Sequence, residues 1–287
     1  MYHFHYSIKR AALQLVSVRF IVISALSFGI CRTLTIPPRF DIITKMNLKG
    51  AIGLSSFALR ALALLAMLFD HAGLALFPSS GIFRCIGRMA FPLYCFLLVQ
   101  GFVHTKNLRA YFRRLLLLAI LSEIPFDLLI FGRISSSMEQ NVLFSLLFGL
   151  MALTACRMLE SRPVQALLVC VTLATSAMAL RLSYGWLSVV LCLVLYLFRE
   201  RRLFVVLGTA GTLLLYTLSL LLSGVKLSWV LVSLCALFSL IPILLYSGRP
   251  GPRPPALTFL FYVSYPAHLL VLVLLRAMRL VPPYFLQ

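Results

Sequence analysis

Residues 57–77 read FALRALALLAMLFDHAGLALF, and this stretch decides the fold class. As a helix rising 1.5 Å per residue, it would be long enough to cross the roughly 30 Å hydrocarbon core of a bilayer. It nevertheless carries Asp70 and His71 side by side, and neither residue favours insertion. A carboxylate near the bilayer centre costs about 3 kcal/mol even on lenient insertion scales. Polar residues inside such a span therefore indicate a functional site.

The composition extends this interpretation to the whole chain. Of its 287 residues 62% are hydrophobic and only 11% are charged, with a mean hydropathy of +1.02. Soluble domains average about 45–50% apolar and about 25% charged residues. The sequence therefore predicts an all-α fold, a polytopic membrane bundle forming one domain with short loops.

Nine apolar windows recur along the chain and predict about nine transmembrane helices. Two of them are short, so their boundaries are the least certain. The predicted spans are 57–77, 84–103, 115–132, 141–156, 164–181, 184–198, 203–223, 228–247 and 256–278.

The net charge of +19 would indicate a nucleic-acid partner in a soluble protein. Here the basic residues cluster between apolar windows, as the positive-inside rule expects, and favour anionic lipids instead. We therefore expect membrane lipids as partners and no nucleic acid.

Alternate loops differ strongly in Lys and Arg content, which predicts the orientation. Eleven basic residues lie in one set of loops and three in the other. The richer set is Lys106, Arg109, Arg113, Arg114, Arg157, Arg162, Arg199, Arg201, Arg202, Arg249 and Arg253; the poorer set is Arg133, Arg181 and Lys226. The richer loops are therefore predicted to be cytoplasmic, so the first span starts inside and the C-terminus lies outside.

The first 45 residues differ in composition from the rest of the chain. Residues 1–45 are basic, carry a Pro-Pro pair and precede Met46, a natural start for a membrane protein. We predict a weakly structured N-terminal extension at 1–45, and a membrane domain at 46–287. The seven cysteines show no metal-ligand spacing, so no metal is expected.

The polar residues inside the spans converge in depth. Counting 1.5 Å per residue along alternating spans places them between the midplane and the outer face. They are Asp70, His71, Arg84, Arg88, Glu123, Asp127 and His268. The i,i+4 pairs Arg84/Arg88 and Glu123/Asp127 each share one helix face, so two arginines facing two carboxylates would neutralise a buried site. A purely structural set of ion pairs is the alternative.

Six segments in order resemble the TraX family of membrane acetyltransferases. The resemblance runs from about Leu48 to the last span and leaves the extension uncovered. The segments are MLFDHAG (67–73), FRCIGRMAFPLYCFLLVQGFVHTKNLRAYFRRL (83–115), LSEIPFDLLIF (121–131), QNVLFSLLFGL (140–150), YGWLSVVL (184–191) and FYVSYPAHLLVL (261–272).

The resemblance implies a function in the bacterial cytoplasmic membrane. TraX proteins are associated with N-terminal acetylation of a conjugative pilin and look distantly similar to acyltransferases that acetylate glycans. The chain is thus expected to move an acetyl group from cytosolic acetyl-CoA to an amine or hydroxyl of an acceptor. That acceptor would be a pilin-like protein or an envelope glycan. A proton-coupled transporter and a non-catalytic assembly factor are the rival hypotheses.

The resemblance also implies roles for the polar residues. His71 would be the general base, since imidazole titrates near neutral pH, or else a transient acyl carrier. Asp70 would orient it or else pair with Arg84 or Arg88, one of which would stabilise an oxyanion. Further positions are implied as two groups. Supporting polar residues are Glu123, Asp127, Asn141, Tyr265 and His268; the cations expected at the acetyl-CoA phosphates, or simply in a cytoplasmic loop, are Lys106, Arg109, Arg113 and Arg114.

Overall fold

A computed structural model of the chain describes residues 53–77, 80–136, 138–252 and 254–278. All regular elements within these ranges are helical, and the two β-bridges are isolated. The all-α prediction is therefore confirmed for this part of the chain. The predicted extension at 1–45 lies outside the described residues.

The helices follow one another along the chain with short connections. In order they are α1 (Ser56–Leu76), α2 (Gly81–Arg88), α3 (Ala90–His104), α4 (Leu108–Phe131), α5 (Val142–Met158), α6 (Pro163–Ala179), α7 (Trp186–Leu197), α8 (Arg202–Leu222), α9 (Leu227–Leu234), a 3-10 turn (Cys235–Ser239), α10 (Leu240–Leu244) and α11 (Pro255–Ala277).

The predicted apolar windows coincide with these helices once broken helices are joined. Five stretches are long and apolar enough to cross a membrane: Ser56–Leu76, Gly81–His104, Arg202–Leu222, Leu227–Leu244 and Phe259–Ala277. Helices α5, α6 and α7 are apolar but shorter. Helix α4 is 24 residues long, yet it carries both basic and acidic side chains. The structure thus supports a helical membrane protein, while nine crossings stay a prediction.

Side-chain caps fix the start of three helices. The Ser55 hydroxyl accepts a hydrogen bond from the backbone N–H of Ala58, at 3.2 Å, at the start of α1. Asn107 does the same for α4 from Ala110, at 2.9 Å. Asn141 caps α5 in the same way. Such caps satisfy backbone N–H groups that the first helical turn leaves without partners.

The core lies around α3, α5 and α7, which pack against one another. Leu93, Leu150 and Leu191 from these three helices are fully buried. Outer helices instead expose apolar side chains, such as Leu121 on α4 at 67%. Apolar side chains on the outside suit contact with lipid tails, where they need no cover by protein.

The last helix packs against the first, which positions the candidate site. Helix α11 contacts both α1 and α4. At one end of the bundle, the backbone N–H of Leu54 donates to the Leu245 carbonyl at 2.8 Å, so the start of α1 meets the segment after α10. At another point, Gln140 before α5 bridges to Leu182 after α6. Each pairing joins two chain segments that the predicted topology places on the same side of the membrane. Which side is cytoplasmic stays a prediction.

Candidate functional site

The Asp70 carboxylate on α1 is held by two arginines of α2. Arg84 Nη1 lies 3.1 Å from Oδ1. Arg88 Nη2 lies 3.1 Å from Oδ1 and 3.0 Å from Oδ2. The i,i+4 spacing places both guanidinium groups on one face of α2, toward α1. The alternative that Asp70 pairs with these arginines is therefore the arrangement observed.

Gly87 makes this close approach possible. A Cβ atom added at Gly87 would collide with the carboxylate and Cβ of Asp70. Any other residue at this position would therefore push α2 away from α1. Sequence reasoning missed Gly87, although its place between Arg84 and Arg88 on a short polar helix was a usable signal.

This ion-pair cluster is partly buried and carries more positive than negative charge. The side chains of Arg84, Arg88 and Asp70 are 17%, 22% and 15% exposed. The Arg84 guanidinium also lies 5.4 Å from the ring centroid of Trp229 on α9, a cation–π distance. Glu139 interacts electrostatically with Arg84 from the loop before α5. Two arginines on one carboxylate leave a positive charge, which this more distant acid offsets in part.

The predicted pairing of Arg84 and Arg88 with Glu123 and Asp127 is wrong. Within the described residues, neither arginine forms a salt bridge with either acid. The two pairs lie on helices with different neighbours, because α2 packs on α1 and α9, whereas α4 packs on α5 and α11. Side chains predicted to lie at the same depth are therefore not brought together here.

Glu123 and Asp127 instead tie α4 to the start of α5. Glu123 Oε2 accepts hydrogen bonds from the Asn141 backbone, at 3.2 Å, and from the Asn141 side-chain amide. The same amide donates to the Ala119 carbonyl at 2.9 Å, while Asn141 Oδ1 caps α5 by accepting from Leu143. Asp127 Oδ2 accepts from the Ser136 backbone at 2.7 Å. Asn141 is fully buried and is the centre of this network.

His71 and His268 form a hydrogen-bonded pair between α1 and α11. His71 Nδ1 lies 2.8 Å from His268 Nε2, and the rings are stacked with centroids 4.9 Å apart. His268 Nδ1 lies 2.7 Å from the backbone carbonyl oxygen of Ser264. The partner of His71 is therefore His268, and the proposed orienting role of Asp70 is wrong, because its carboxylate is bound to the arginines.

The Ser264 carbonyl determines which atoms donate in the hydrogen bonds of His268 and His71. A carbonyl oxygen only accepts, so His268 Nδ1 must carry a proton. In a neutral His268, Nε2 is then the acceptor, and His71 Nδ1 must be the donor. A neutral His71 consequently presents Nε2 as an unprotonated lone pair. The pair thus prepares one specific nitrogen of His71 to take up a proton.

Tyr265 lies one turn before His268 on α11 and contacts both rings. Its ring centroid is 6.3 Å from that of His71 and 5.6 Å from that of His268. Its hydroxyl is buried and makes no hydrogen bond within the described residues, although it lies near the Val142 backbone and interacts with Glu123. Glu123 Oε1 and Asp127 Oδ1 are likewise buried without a partner in this part of the chain. Tyr265 therefore contacts both histidine rings and lies near the start of α5, where Asn141 holds Glu123.

The basic residues expected at acetyl-CoA lie far from this site. Lys106, Arg109, Arg113 and Arg114 are exposed where α3 meets α4. None of them forms a salt bridge among the described residues. Helix α3, with 15 residues and a length of about 22 Å, lies between Arg88 and Lys106. Among the described residues, the structure therefore groups Asp70 with Arg84 and Arg88 and pairs His71 with His268, and the exposed cations belong to neither group.

No metal centre is formed by the described ranges. They contain no group of three or more His, Cys, Asp or Glu side chains arranged to hold a metal ion.

Comparison with known proteins identifies one matching family and two relatives. A family model described as TraX protein matches residues 55–276. The chain is 34% identical over 239 residues to a probable fimbrial assembly protein FimC, serogroup H1, of Dichelobacter nodosus, covering 77% of this chain and 95% of that protein. It is 43% identical over 51 residues to an uncharacterized Rickettsia prowazekii protein, covering 18% of this chain and 21% of that one. No solved structure matches.

Proposed function

This chain belongs to the TraX family, and from that premise we propose that it is an integral membrane acetyltransferase. It transfers an acetyl group from acetyl-CoA to an amine or hydroxyl of an acceptor used in surface-structure assembly. The similarity to a fimbrial assembly protein supports this context. A pilin-like protein or an envelope glycan is the proposed acceptor class.

The observation that carries the proposal is the His71–His268 pair. An acyl transfer needs a base that removes the proton of the attacking amine or hydroxyl. His268 holds the Nδ1 proton of His71 toward itself, which leaves His71 Nε2 as the basic atom. His71 is 9% exposed, so the base lies in a largely enclosed place, as acyl transfer without competing hydrolysis requires.

The reaction balances with these residues alone. The acceptor nitrogen or oxygen attacks the thioester carbonyl of acetyl-CoA while His71 Nε2 takes its proton. The tetrahedral intermediate then expels the thiolate of CoA, and imidazolium returns the proton to give the free thiol. The products are the acetylated acceptor and CoA, and His71 is again neutral.

The arginine cluster has a place in this chemistry. Arg84 Nε and Arg88 Nε are buried and make no hydrogen bond within the described residues. Such donors stabilise negative charge that develops on the carbonyl oxygen in the transition state. Asp70 keeps both arginines in position and limits their net charge. One of the two arginines is proposed to stabilise the oxyanion.

Acetyl-CoA is proposed to enter from the cytoplasm. Lys106, Arg109, Arg113 and Arg114 form an exposed cationic surface that suits its phosphates. Because the length of α3, about 22 Å, lies between this surface and Arg88, the pantetheine arm would have to reach into the bundle. The proposed orientation is the one predicted from the loop charges, in the bacterial cytoplasmic membrane with the C-terminus outside.

Consumption of acetyl-CoA tests the proposal. Protein purified into lipid nanodiscs would be mixed with radiolabelled acetyl-CoA and either a peptide with a free N-terminus or an oligosaccharide. We expect acceptor-dependent release of CoA with label on the acceptor. Arg133→Gln, in an exposed loop after α4, is a matched control that should transfer at the wild-type rate. Absence of acceptor-dependent release from folded protein, with every acceptor, would refute the enzyme.

A second candidate is proton-coupled transport. It is favoured by the carboxylate oxygens of Glu123 and Asp127 that have no partner among the described residues, since intramembrane carboxylates are typical of proton relays. A transporter would acidify or alkalise vesicles on addition of its solute and would not consume acetyl-CoA. A non-catalytic assembly factor would do neither.

A further inference from the structure

A cavity of about 120 Å³ lies beside the arginine cluster. Its walls come from α2, α3, α7, α8 and α9, together with the loop before α7 and the 3-10 turn that contains Ala236. An engineered apolar cavity of roughly 150 Å³ takes up benzene, so this cavity has room for a group of a few heavy atoms. Residues that give it chemical character are Arg88, Phe91, Tyr184, Tyr216, Trp229 and Ser233.

Arg88 is the charged residue of the cavity wall. Among the described residues that line the cavity there is no carboxylate side chain. Arg88 uses Nη2 to bind Asp70, whereas its Nε is buried without a hydrogen-bond partner in the described part of the chain. A guanidinium donor without a partner in an enclosed place favours an anionic acceptor, because its hydrogen bonds to a charged group are strong. Glu139, the acid that offsets Arg84, does not line the cavity.

Aromatic rings shape the remaining wall. Phe91 and Tyr184 are stacked with ring centroids 3.6 Å apart, and Tyr184 is 6.5 Å from Tyr216. Ser233 is engaged with Thr217 and the Val230 carbonyl, so it is held in place rather than free to turn. A small anionic group with an apolar body suits this combination of one guanidinium and several rings.

We propose that this cavity binds a carboxylate or phosphate group of the acetyl acceptor. The proposal rests on the proposed acetyl transfer for the identity of the occupant, while anion binding itself does not depend on it. Arg88 also binds Asp70, the neighbour of His71 in the chain, so the acceptor would be anchored beside the helix that carries the proposed base, and Arg84 would be the arginine left to stabilise the oxyanion. The acceptor is thereby restricted to amines or alcohols that also carry an acidic group.

Binding of small probes tests the cavity without any acetyl transfer. Full-length protein in nanodiscs would be titrated with propionate, methyl phosphate and uncharged propionamide, following tryptophan fluorescence, since Trp229 lines the cavity. The chain has one other tryptophan, Trp186. A Trp229→Phe variant therefore shows whether the fluorescence change comes from Trp229. We expect saturable changes with one or both anions and none with propionamide. Preference between the anions distinguishes a carboxylate from a phosphate source.

Two variants test the assignment to this place. Arg88→Gln removes the cation while Asp70 keeps Arg84 as its partner. Ala236→Leu fills the cavity and leaves every charge in place. Each variant should weaken anion binding about tenfold or more. Arg88→Gln removes a charged hydrogen bond, and Ala236→Leu fills the space that the anion would occupy. Equal binding of propionamide, unchanged affinity in both variants, or no saturable response in folded wild-type protein would each overturn the proposal.

Failure of the two proposals can be told apart. Anion binding without acetyl transfer would keep the cavity as an anion site and reject the enzyme. Acetyl transfer that propionate and methyl phosphate do not inhibit competitively would keep the enzyme and reject the anchoring of the acceptor there.

Discussion

His71 Nδ1 and a neutral His268 Nε2 are joined by a 2.8 Å hydrogen bond in which His71 donates, and this bond connects two helices whose paired residues lie 197 positions apart in the chain. The carbonyl of Ser264 determines the direction of this bond by accepting from the opposite nitrogen of His268. His268 is therefore a positioning residue, and His71 is the residue that would act on the acceptor.

Replacing His71 tests the proposed base. His71→Ala should lower acetyl transfer by about two to four orders of magnitude, the usual contribution of a positioned base. Folding should change little, since Ala removes an ionisable group from an apolar helix and leaves only a local cavity. Turnover and the thermal unfolding midpoint are the two measurements. Near-normal turnover in His71→Ala would mean that this histidine is structural.

Replacing His268 separates positioning from proton transfer. His268→Gln keeps an acceptor atom for the His71 Nδ1 proton, whereas His268→Leu removes it. The Leu variant should lose about tenfold to hundredfold in kcat, a typical effect of losing a partner that orients a histidine. The Gln variant should recover much of that loss. If His268→Leu is inactive while His71→Ala is active, the roles of the two histidines are reversed.

Neutralising Asp70 should destabilise the fold. Asp70→Asn leaves Arg84 and Arg88 without a nearby carboxylate, and an uncompensated buried cation costs about 3 kcal/mol or somewhat less here, because the side chains are partly exposed. The yield and unfolding midpoint of purified protein measure this loss. Adding Arg88→Gln to Asp70→Asn should restore part of the stability. A double variant no more stable than Asp70→Asn would contradict charge imbalance as the cause.

A methyl group at Gly87 should be far more damaging than one at Gly81. Both glycines lie on α2, but a Cβ at Gly87 meets the Asp70 carboxylate, and one at Gly81 meets nothing within 4 Å. Gly87→Ala should therefore lower stability by about 1–3 kcal/mol through overpacking. Gly81→Ala is the matched control and should be close to neutral. Thermal unfolding of the two variants decides the matter, and equal midpoints would count against the close approach of α1 and α2.

Glu123→Gln should act independently of the arginines. It weakens charged hydrogen bonds to Asn141, at a cost of about 1.5–3 kcal/mol. Because Glu123 pairs with Asn141 and not with Arg88, its effect should add to that of Arg88→Gln within about 0.5 kcal/mol. Unfolding of both single variants and the double variant measures this coupling. Strong coupling would show that the acid and the arginine share a network after all.

Reporter fusions test the predicted orientation. A reporter active only outside the cytoplasm should be active after Gly132 or Gly224 and silent after Asn107 or Arg201. The opposite pattern would place the histidine pair toward the cytoplasmic face. If the reporter were active after two consecutive loops, the segment between those loops would not cross the membrane, and the predicted number of crossings would be wrong.

Much of the fold was readable along the chain. Hydropathy marks each helix locally, and the rise per residue sets the depth of any side chain within a span. For that reason the windows starting at 57 and 203 agree closely with α1 and α8. The same reasoning predicts that Asp70, His71, Arg84 and His268 share one layer of the bundle.

Which of these polar residues touch one another was decided by packing alone. Depth is a coordinate along the helix, whereas partners depend on which helices are neighbours and which faces they present. Because α11 returns beside α1, His71 meets His268, and because Gly87 admits α2, Asp70 meets Arg84 and Arg88. Glu123 is predicted at the same depth as the arginines, but α4 lies against α5, so Asn141 is its partner. Periodicity and composition carry no information on such lateral choices, since they arise only when all the helices pack together.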